Sequence, residues 1–547
     1  MISIAIDTLI FIAFVAFALK RMMTYLLALQ QDDYDNERLL KWMGTYKAFD
    51  KKLTALLLII GAANLLTAEP LYMLVFKFFI FATFIIFTLM EADPRKKSKK
   101  KLVMTQRATR IFVAGMIPLS LVAASSFLLP FTWHWIIFVQ AIPFFLIGGN
   151  MLLQPYEARI QKQFWNEAHN KVLSLNPKVI GITGSFGKTS VKHILGHILK
   201  MHAPTLITPG SVNTPMGITR IIREQLNESH KYFVVEMGAY GPGSIQRLCE
   251  LTPPDMGLIT AIGHAHYERF KTLDAVAQTK FELAQNTLNK DGKVIVHEST
   301  LRFDYSKEMR DANAKSFIAI GEPTVDRNER QANLTGTDVH IEKIEQTIDG
   351  VVVVFTWKGE KHHIEAPLFG LHHGHNLTLA YVTALELGIE IEAIDAALKS
   401  MPQIQHRLEV KKLPDDRTII DDAFNSNPIG FRSAIDLMYM LKNADKENPG
   451  RGILVTPGMI EMGKAHNDAH EKIGQYAGQM CDIAVVVQGE RIPSFIKAFK
   501  ENGEGKTIIE VGSFTEASAW VEKHKQANDV VLIENDLPDL YERVPNM

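Results

Sequence analysis

Three features of the sequence predict an α-helical membrane region followed by two α/β domains built on parallel sheets. Long apolar runs crowd the first 153 residues and then stop. From Lys178 onward, short β-branched runs alternate with helical patterns, as in a parallel sheet covered by helices on both faces. That alternation opens with a strand, a glycine-rich loop and a helix start, between Lys178 and Val191.

The chain has 547 residues, which suggests three to four domains. The expected boundaries are 1–153 for the membrane region, 154–400 for a central domain and 401–547 for a C-terminal domain. A formal net charge of −1 offers no global field for nucleic acid, so no nucleic-acid partner is expected. The two cysteines, Cys249 and Cys481, are far apart and show neither metal nor redox spacing.

In the first region, apolar runs lie at about residues 2–19, 53–68, 71–90, 111–129 and 133–153. Each is near the roughly 17–25 residues that cross a bilayer, so about five spans are expected. The first run lacks a basic leader and is followed by Lys20 and Arg21, which reads as an uncleaved anchor. Lys and Arg crowd the connections 20–52 and 91–110 and are absent near 69–70 and 130–132. The positive-inside rule then puts the N-terminus outside and everything after Leu153 in the cytoplasm. The expected location is therefore a multi-pass protein of the cytoplasmic (inner) membrane, in contact with its lipids. Asp7 and Lys77, the ionisable residues within the spans, are expected to snorkel to the interface rather than to pair.

Residues 154–177 read as an amphipathic helical linker carrying Trp165. The strand Val179–Ile182 then enters Thr-Gly184-Ser185-Phe186-Gly187-Lys188-Thr189-Ser190, where a helix begins. Glycines let backbone N–H groups turn toward a polyphosphate, and the helix N-terminus adds positive potential. Lys188 reaches the terminal phosphates, and the Thr189 hydroxyl is placed to hold Mg²⁺. Further polar residues collect at strand ends, where ligands of such sheets bind. They include Asn213 and Thr214 in the segment Gly210–Gly217, Glu236 at the end of Phe233-Val-Val-Glu, and His266 after Thr260-Ala-Ile-Gly. Glu236 falls where a second Mg²⁺ contact would be.

The order and content of these motifs resemble the Mur ligase family, and the family's motifs run on to about residue 475. The resemblance implies that residues 184–190 bind ATP, that Glu236 and His266 hold Mg²⁺, and that Lys280 is carbamoylated and joins the metal site. Gly370-Leu-His372-His373-Gly-His-Asn376 resembles the family's element near the nucleotide, with His372 and Asn376 matching and His373 standing where the family has Asn. Arg407 falls at a phosphate-contacting position. The stretch Asp421-Asp422-Ala-Phe-Asn425-Ser-Asn427-Pro closely resembles the dipeptide-adding branch of the family. There, Asp422 inherits the contact to the nucleotide ribose, while Asn425 and Asn427 shape the cleft. Asn213, Thr214 and Asn427 are the substrate-side candidates. The helix 377–387 is expected to be the last of the central domain, and the C-terminal domain to be Rossmann-like.

The implied chemistry is ATP-dependent amide-bond formation through an acyl phosphate, with Lys188, Lys280, His266 and Arg407 in catalytic roles. The partners are a cell-wall or cell-surface precursor with a free carboxylate and an amino acid or dipeptide amine of D-alanyl-D-alanine type. Two departures leave alternatives open. Family members begin with a soluble domain that holds the UDP-sugar, whereas here membrane spans feed almost directly into the ATP-binding domain. Glu534-Asn-Asp536 stands where that branch carries a Lys-Gly-Ser-type sequence. A lipid-linked or polymeric acceptor is thus one alternative, and a membrane scaffold with a non-catalytic nucleotide domain is another.

Overall fold

The computed structural model describes residues 2–65, 69–96, 101–129, 133–263, 270, 272–322, 337–423, 426–460 and 462–535. The chain forms two compact units, residues 1–162 and 163–536.

The first unit is helical: Ile2–Gln31, Asn36–Thr45, Lys51–Leu65, Pro70–Met90, Gln106–Ala124 and the first part of His134–Leu175. Among the described residues, three helical stretches are long and apolar enough to cross a membrane: 71–90, 106–128 and 134–175. The other two expected spans are also helical. Ile2–Gln31 carries its apolar run ahead of Lys20 and Arg21. Lys51–Leu65 has 15 residues and so rises only about 22 Å, less than a bilayer's hydrocarbon core. The expected separate linker at 154–177 is instead continuous with the preceding run, in one helix of 42 residues. Phe14, Phe17, Phe84, Trp135 and Phe138 interlock in the core of this unit. At Gly149 the helices pass so close that a Cβ would lie 2.8 Å from the Gly115 nitrogen. Asp7 and Lys77 do not snorkel separately. They pair across two helices at 2.7 Å, because in an apolar unit a partner within reach is worth more than a stretched stem.

The second unit holds two sheets. In the central one, β1 (Lys178–Thr183), β2 (Thr205–Ile207), β3 (Tyr232–Glu236), β4 (Met256–Ile259), β5 (Lys293–His297) and β6 (Phe317–Gly321) are parallel. Three further strands, β7 (Val339–Thr347), β8 (Gly350–Trp357) and β9 (Glu360–Ala366), extend it as antiparallel hairpins. The order is β2-β3-β1-β4-β5-β6-β7-β8-β9. The inner strands are apolar along their length because helices cover both faces, and separate cores lie on the two sides. β8 and β9 alternate buried and exposed residues, as expected where one face meets water. The helix His372–Glu386 is not the domain's last. Ile391–Lys399 follows it and packs its apolar stripe on the same core.

The C-terminal sheet comprises β10 (Glu409–Lys412), β11 (Thr418–Asp422), β12 (Gly452–Thr456), β13 (Ile483–Val487), β14 (Thr507–Val511) and β15 (Val530–Glu534), in the order β10-β11-β15-β12-β13-β14. All neighbours are parallel except β10 with β11.

Candidate active site

In the central sheet the chain runs from β1 to β2 and β3 on one side and to β4 on the other. A crevice therefore opens beyond the carboxyl end of β1, flanked by β3 and β4. The phosphate loop fills that point. Gly187, with φ of 81°, starts the helix Lys188–His202, and a Cβ there would lie 2.6 Å from Asn376 Oδ1. A Cβ at Gly184 would overlap the Thr260 hydroxyl. The loop is pinned from β4's exit: the Ser185 N–H donates to the Ala261 carbonyl at 2.6 Å, and Thr260 Oγ1 donates to the Phe186 carbonyl. Ser185 Oγ also accepts from the Gly263 N–H at 3.0 Å. Ser190 is buried on the first helical turn. Lys188 Nζ folds back to the Gly184 carbonyl at 2.8 Å.

Glu236, at the end of β3, is 1% exposed and fully engaged. Its Oε2 accepts from Thr189 Oγ1 at 2.9 Å and from Lys192 Nζ at 3.0 Å, and its Oε1 accepts from Asn213 Nδ2 at 3.1 Å. Burial by itself would raise this carboxyl, but Lys192 and Lys188 outweigh it and hold it below the usual range. Lys192 was not singled out in the sequence. Its spacing of four from Lys188 on a helix, which puts both on one face, was the available signal.

Lys280, on the helix Leu273–Leu288, is 4% exposed. Burial, reinforced by Lys188, pushes its ammonium well below the ordinary lysine value, which favours a neutral amine. Arg407 joins from the segment that leads into β10. Burial lowers it, while Asp422 and Glu236 act in the opposite sense. Lys188, Lys192 and Arg407 thus form one mutually repelling group around Glu236, and Lys188 in turn repels Lys280. Such a surplus of buried positive charge suits a polyanion.

The histidines at the start of the helix His372–Glu386 border the same group. Burial, with Arg407 and His375 nearby, lowers His372 to about 4, so it is neutral at pH 7. His373 is 0% exposed, and neither ring nitrogen has a hydrogen-bond partner among the described residues.

On the C-terminal side, Asp422 and Glu534 end adjacent parallel strands as register partners. Both are buried, at 7% and 0%. Asp422 Oδ1 accepts from the Leu408 N–H at 3.2 Å, and Glu534 Oε1 from Ser426 Oγ at 2.5 Å. Burial pushes Asp422 up to about 6 and Glu534 higher still, so the pair shares a proton. Glu534 therefore lies inside the fold as a partner of Asp422. Asn535 closes this corner by donating from Nδ2 to the Gly458 carbonyl at 2.6 Å.

Two of the substrate-side candidates have structural work. Thr214 Oγ1 caps the helix Pro215–Gln225, and Asn427 Oδ1 caps Pro428–Lys442 by accepting from Ile429 and Gly430. His266 and Asn425 lie outside the described residues. The metal-ligand candidates Thr189 and Glu236 present hard oxygen atoms 2.9 Å apart at the phosphate loop, a donor set that fits Mg²⁺. Elsewhere His406, Glu409 and Asp421 cluster on the outer surface, where Lys411 already neutralises them at 2.9 Å from Glu409.

This fold and site define a class. Residues 182–384 match the Mur ligase middle domain, and residues 406–534 match the glutamate ligase domain of Mur ligases. The chain belongs to the Mur ligase family, a class of ATP-dependent amide-forming ligases. Within it, the chain is similar to UDP-N-acetylmuramoyl-tripeptide–D-alanyl-D-alanine ligase of Buchnera aphidicola. The two are 29% identical over 328 residues, 60% of this chain and 67% of the relative. The crystal structure of MurF from Acinetobacter baumannii superposes with a TM-score of 0.57 at 25% identity, covering 70% of this chain and 78% of that one. MurF from Thermotoga maritima, solved in complex with ADP, shares the fold with a TM-score of 0.55 at 20% identity, covering 70% of this chain and 81% of that one.

Proposed function

We propose that this protein is a MurF-like ligase. It joins a D-alanyl-D-alanine-type dipeptide amine to the carboxylate of a peptidoglycan precursor at the expense of ATP. The observation that carries the reading is the group of three cations, Lys188, Lys192 and Arg407, around Glu236 at the phosphate loop. The similarity to MurF relatives supports the choice of substrates.

In this mechanism residues 184–190 wrap the β- and γ-phosphates, and Lys188 leaves its loop carbonyls for the transferring phosphoryl group. The acceptor carboxylate attacks the γ-phosphorus, giving an acyl phosphate and ADP. The neutral amine then attacks the acyl carbon, loses a proton and expels phosphate. Arg407 stabilises the charge that develops on the phosphoryl oxygens. Asp422 takes the ribose, and His372 and Asn376 line the nucleotide side. Thr189, Glu236, His266 and Lys280, the last as its carbamate, would hold Mg²⁺. That ion neutralises phosphate charge when bound. The low proton affinity of Lys280 suits it to capture CO₂ as the free amine.

The N-terminal unit favours a second reading of the acceptor. Its apolar helices precede residue 182, where the family match begins. We place this unit in the cytoplasmic membrane with the ligase body in the cytoplasm. A lipid-linked acceptor is the alternative to a UDP-linked one.

ADP release by detergent-purified protein tests the reading, with Lys188→Ala as the blank. UDP-linked muramyl tripeptide and D-alanyl-D-alanine are added singly and together. Release that requires both, with product of the summed mass, is the expected result. Release only with a lipid-linked precursor and the dipeptide would select the second acceptor. ATP binding without turnover on any precursor would leave the scaffold alternative.

A further inference from the structure

The phosphate site holds one lysine that the chemistry above does not call on. Lys192 lies one turn beyond Lys188, its side chain is 0% exposed, and its ammonium joins two elements. It donates to Glu236 Oε2 at 3.0 Å and to the carbonyl of Gly210, in the loop that follows β2. That loop converges on Glu236 at other points too. The Glu236 N–H donates to Thr208 Oγ1 at 3.1 Å, and Asn213 Nδ2 donates to Glu236 Oε1 at 3.1 Å. The Gly238 N–H donates to the Asn213 carbonyl at 3.0 Å, and the Tyr240 hydroxyl to Asn213 Oδ1 at 2.9 Å. Lys192 supplies the only cation hydrogen-bonded to Glu236 among the described residues.

We propose that Lys192 is a positioning residue, a latch that ties the segment 208–214 to the Glu236 carboxylate and so couples loading of the phosphate site to that segment. The physical basis is competition. A cation arriving at Glu236 Oε2 repels the ammonium already there, and the polyphosphate it accompanies attracts that ammonium. Either displacement changes the hold of Lys192 on Gly210, and hence the order of residues 210–214. Gly210 itself is exposed, with φ of 50° and open space around its Cβ position. Naming 208–214 as the acceptor side rests on the ligase reading; the latch itself does not.

Hydrogen exchange read by mass spectrometry on the full-length protein in detergent tests the latch, with Mg²⁺ and ADP as the added probes. In the ligand-free protein, Lys192→Met should speed exchange at 210–214 by roughly tenfold or more, the loss expected for one charge-assisted hydrogen bond. Mg²⁺ with ADP should change exchange at 210–214 in the parent protein and not in Lys192→Met. Lys192→Arg should restore the response. In turnover, Lys192→Met should raise the acceptor KM far more than it lowers kcat. Unchanged exchange at 210–214 in a folded variant, or the same nucleotide response in both proteins, overturns the latch. If thermal unfolding shows that Lys192→Met does not fold, Lys192→Gln, which keeps a donor without the charge, serves the same comparison. Exchange needs no turnover, so the two readings fail separately. A latch response without any ligase activity sinks only the ligase reading, and ligase activity without a latch response sinks only the latch.

Discussion

Both units of this protein bury charge, but they balance it differently. In the N-terminal unit, Arg21 lies between Asp50 at 2.8 Å and Glu91 at 3.2 Å, with side chains 4%, 2% and 13% exposed. Arg110 meets Glu157 at 2.6 Å, and Lys77 meets Asp7. Each of these three cations has its anion. At the phosphate loop, Lys188, Lys192 and Arg407 face Glu236 and the Asp422–Glu534 pair, whose burial favours a retained proton. Balanced burial fixes how helices pack. A surplus left in a crevice costs stability and is relieved when an anion binds, which makes the imbalance the mark of the functional site.

Three substitutions test that contrast. Lys188→Ala removes the cation nearest the loop glycines and should cut ATP turnover by about 10³-fold, with thermal unfolding little changed, as ADP release and a melting curve would record. Comparable turnover in the variant would mean that the surplus is not catalytic. Arg21→Met strips one member from the balanced network and leaves Asp50 and Glu91 buried without it. Stability of the N-terminal unit should fall by about 3–5 kcal/mol, measured by unfolding in detergent. Lys280→Met should do the reverse. The ammonium has no carboxylate bonded to it among the described residues and is repelled by Lys188. An apolar side chain of similar length should hold or raise stability by about 1 kcal/mol while abolishing turnover. A loss of stability instead, which disappears without CO₂ because the parent falls to the level of the variant, would show that Lys280 carries a carbamate.

The sequence carried the parts of this site that are local. A buried strand, positive-φ glycines and Lys-Thr at a helix start occur within one short stretch, so the phosphate loop could be read directly. Continuous apolar runs mark the inner strands, such as Tyr232–Glu236 and Ile483–Val487, which are buried throughout. Strands β7 and β9 went unread because only one face is apolar, and β8, an unbroken apolar run from Val351 to Phe355, was missed with them although Lys358-Gly359, both with positive φ, marks the hairpin turn. The Lys192–Glu236 pair and the Asp7–Lys77 bridge depend on which distant elements meet, and no local pattern encodes that. The same holds for Glu534, which reads in sequence as an acidic departure at a substrate position and in the fold is the buried neighbour of Asp422.

That carboxyl pair gives the smallest and most specific expectation. An aspartate unfolds to a pKa near 3.9, and in the fold burial beside Glu534 takes Asp422 up to about 6. Between those values the folded state binds more protons than the unfolded one, so stability falls as pH rises from about 4 to 6 on account of Asp422 and goes on falling above that as Glu534 loses its own proton. Glu534→Gln keeps the acceptor for Ser426 and turns the other atom into a donor toward Asp422. It should leave the fall between about pH 4 and 6, which burial of Asp422 causes, abolish the fall above it, and raise stability at pH 8 by on the order of 1 kcal/mol, read from melting curves at a series of pH values. Nucleotide affinity at pH 8 should change least of all the quantities compared here, because Asp422 is already largely ionised there. A large loss of ATP affinity would mean that Glu534, rather than Asp422, is the acid the nucleotide meets.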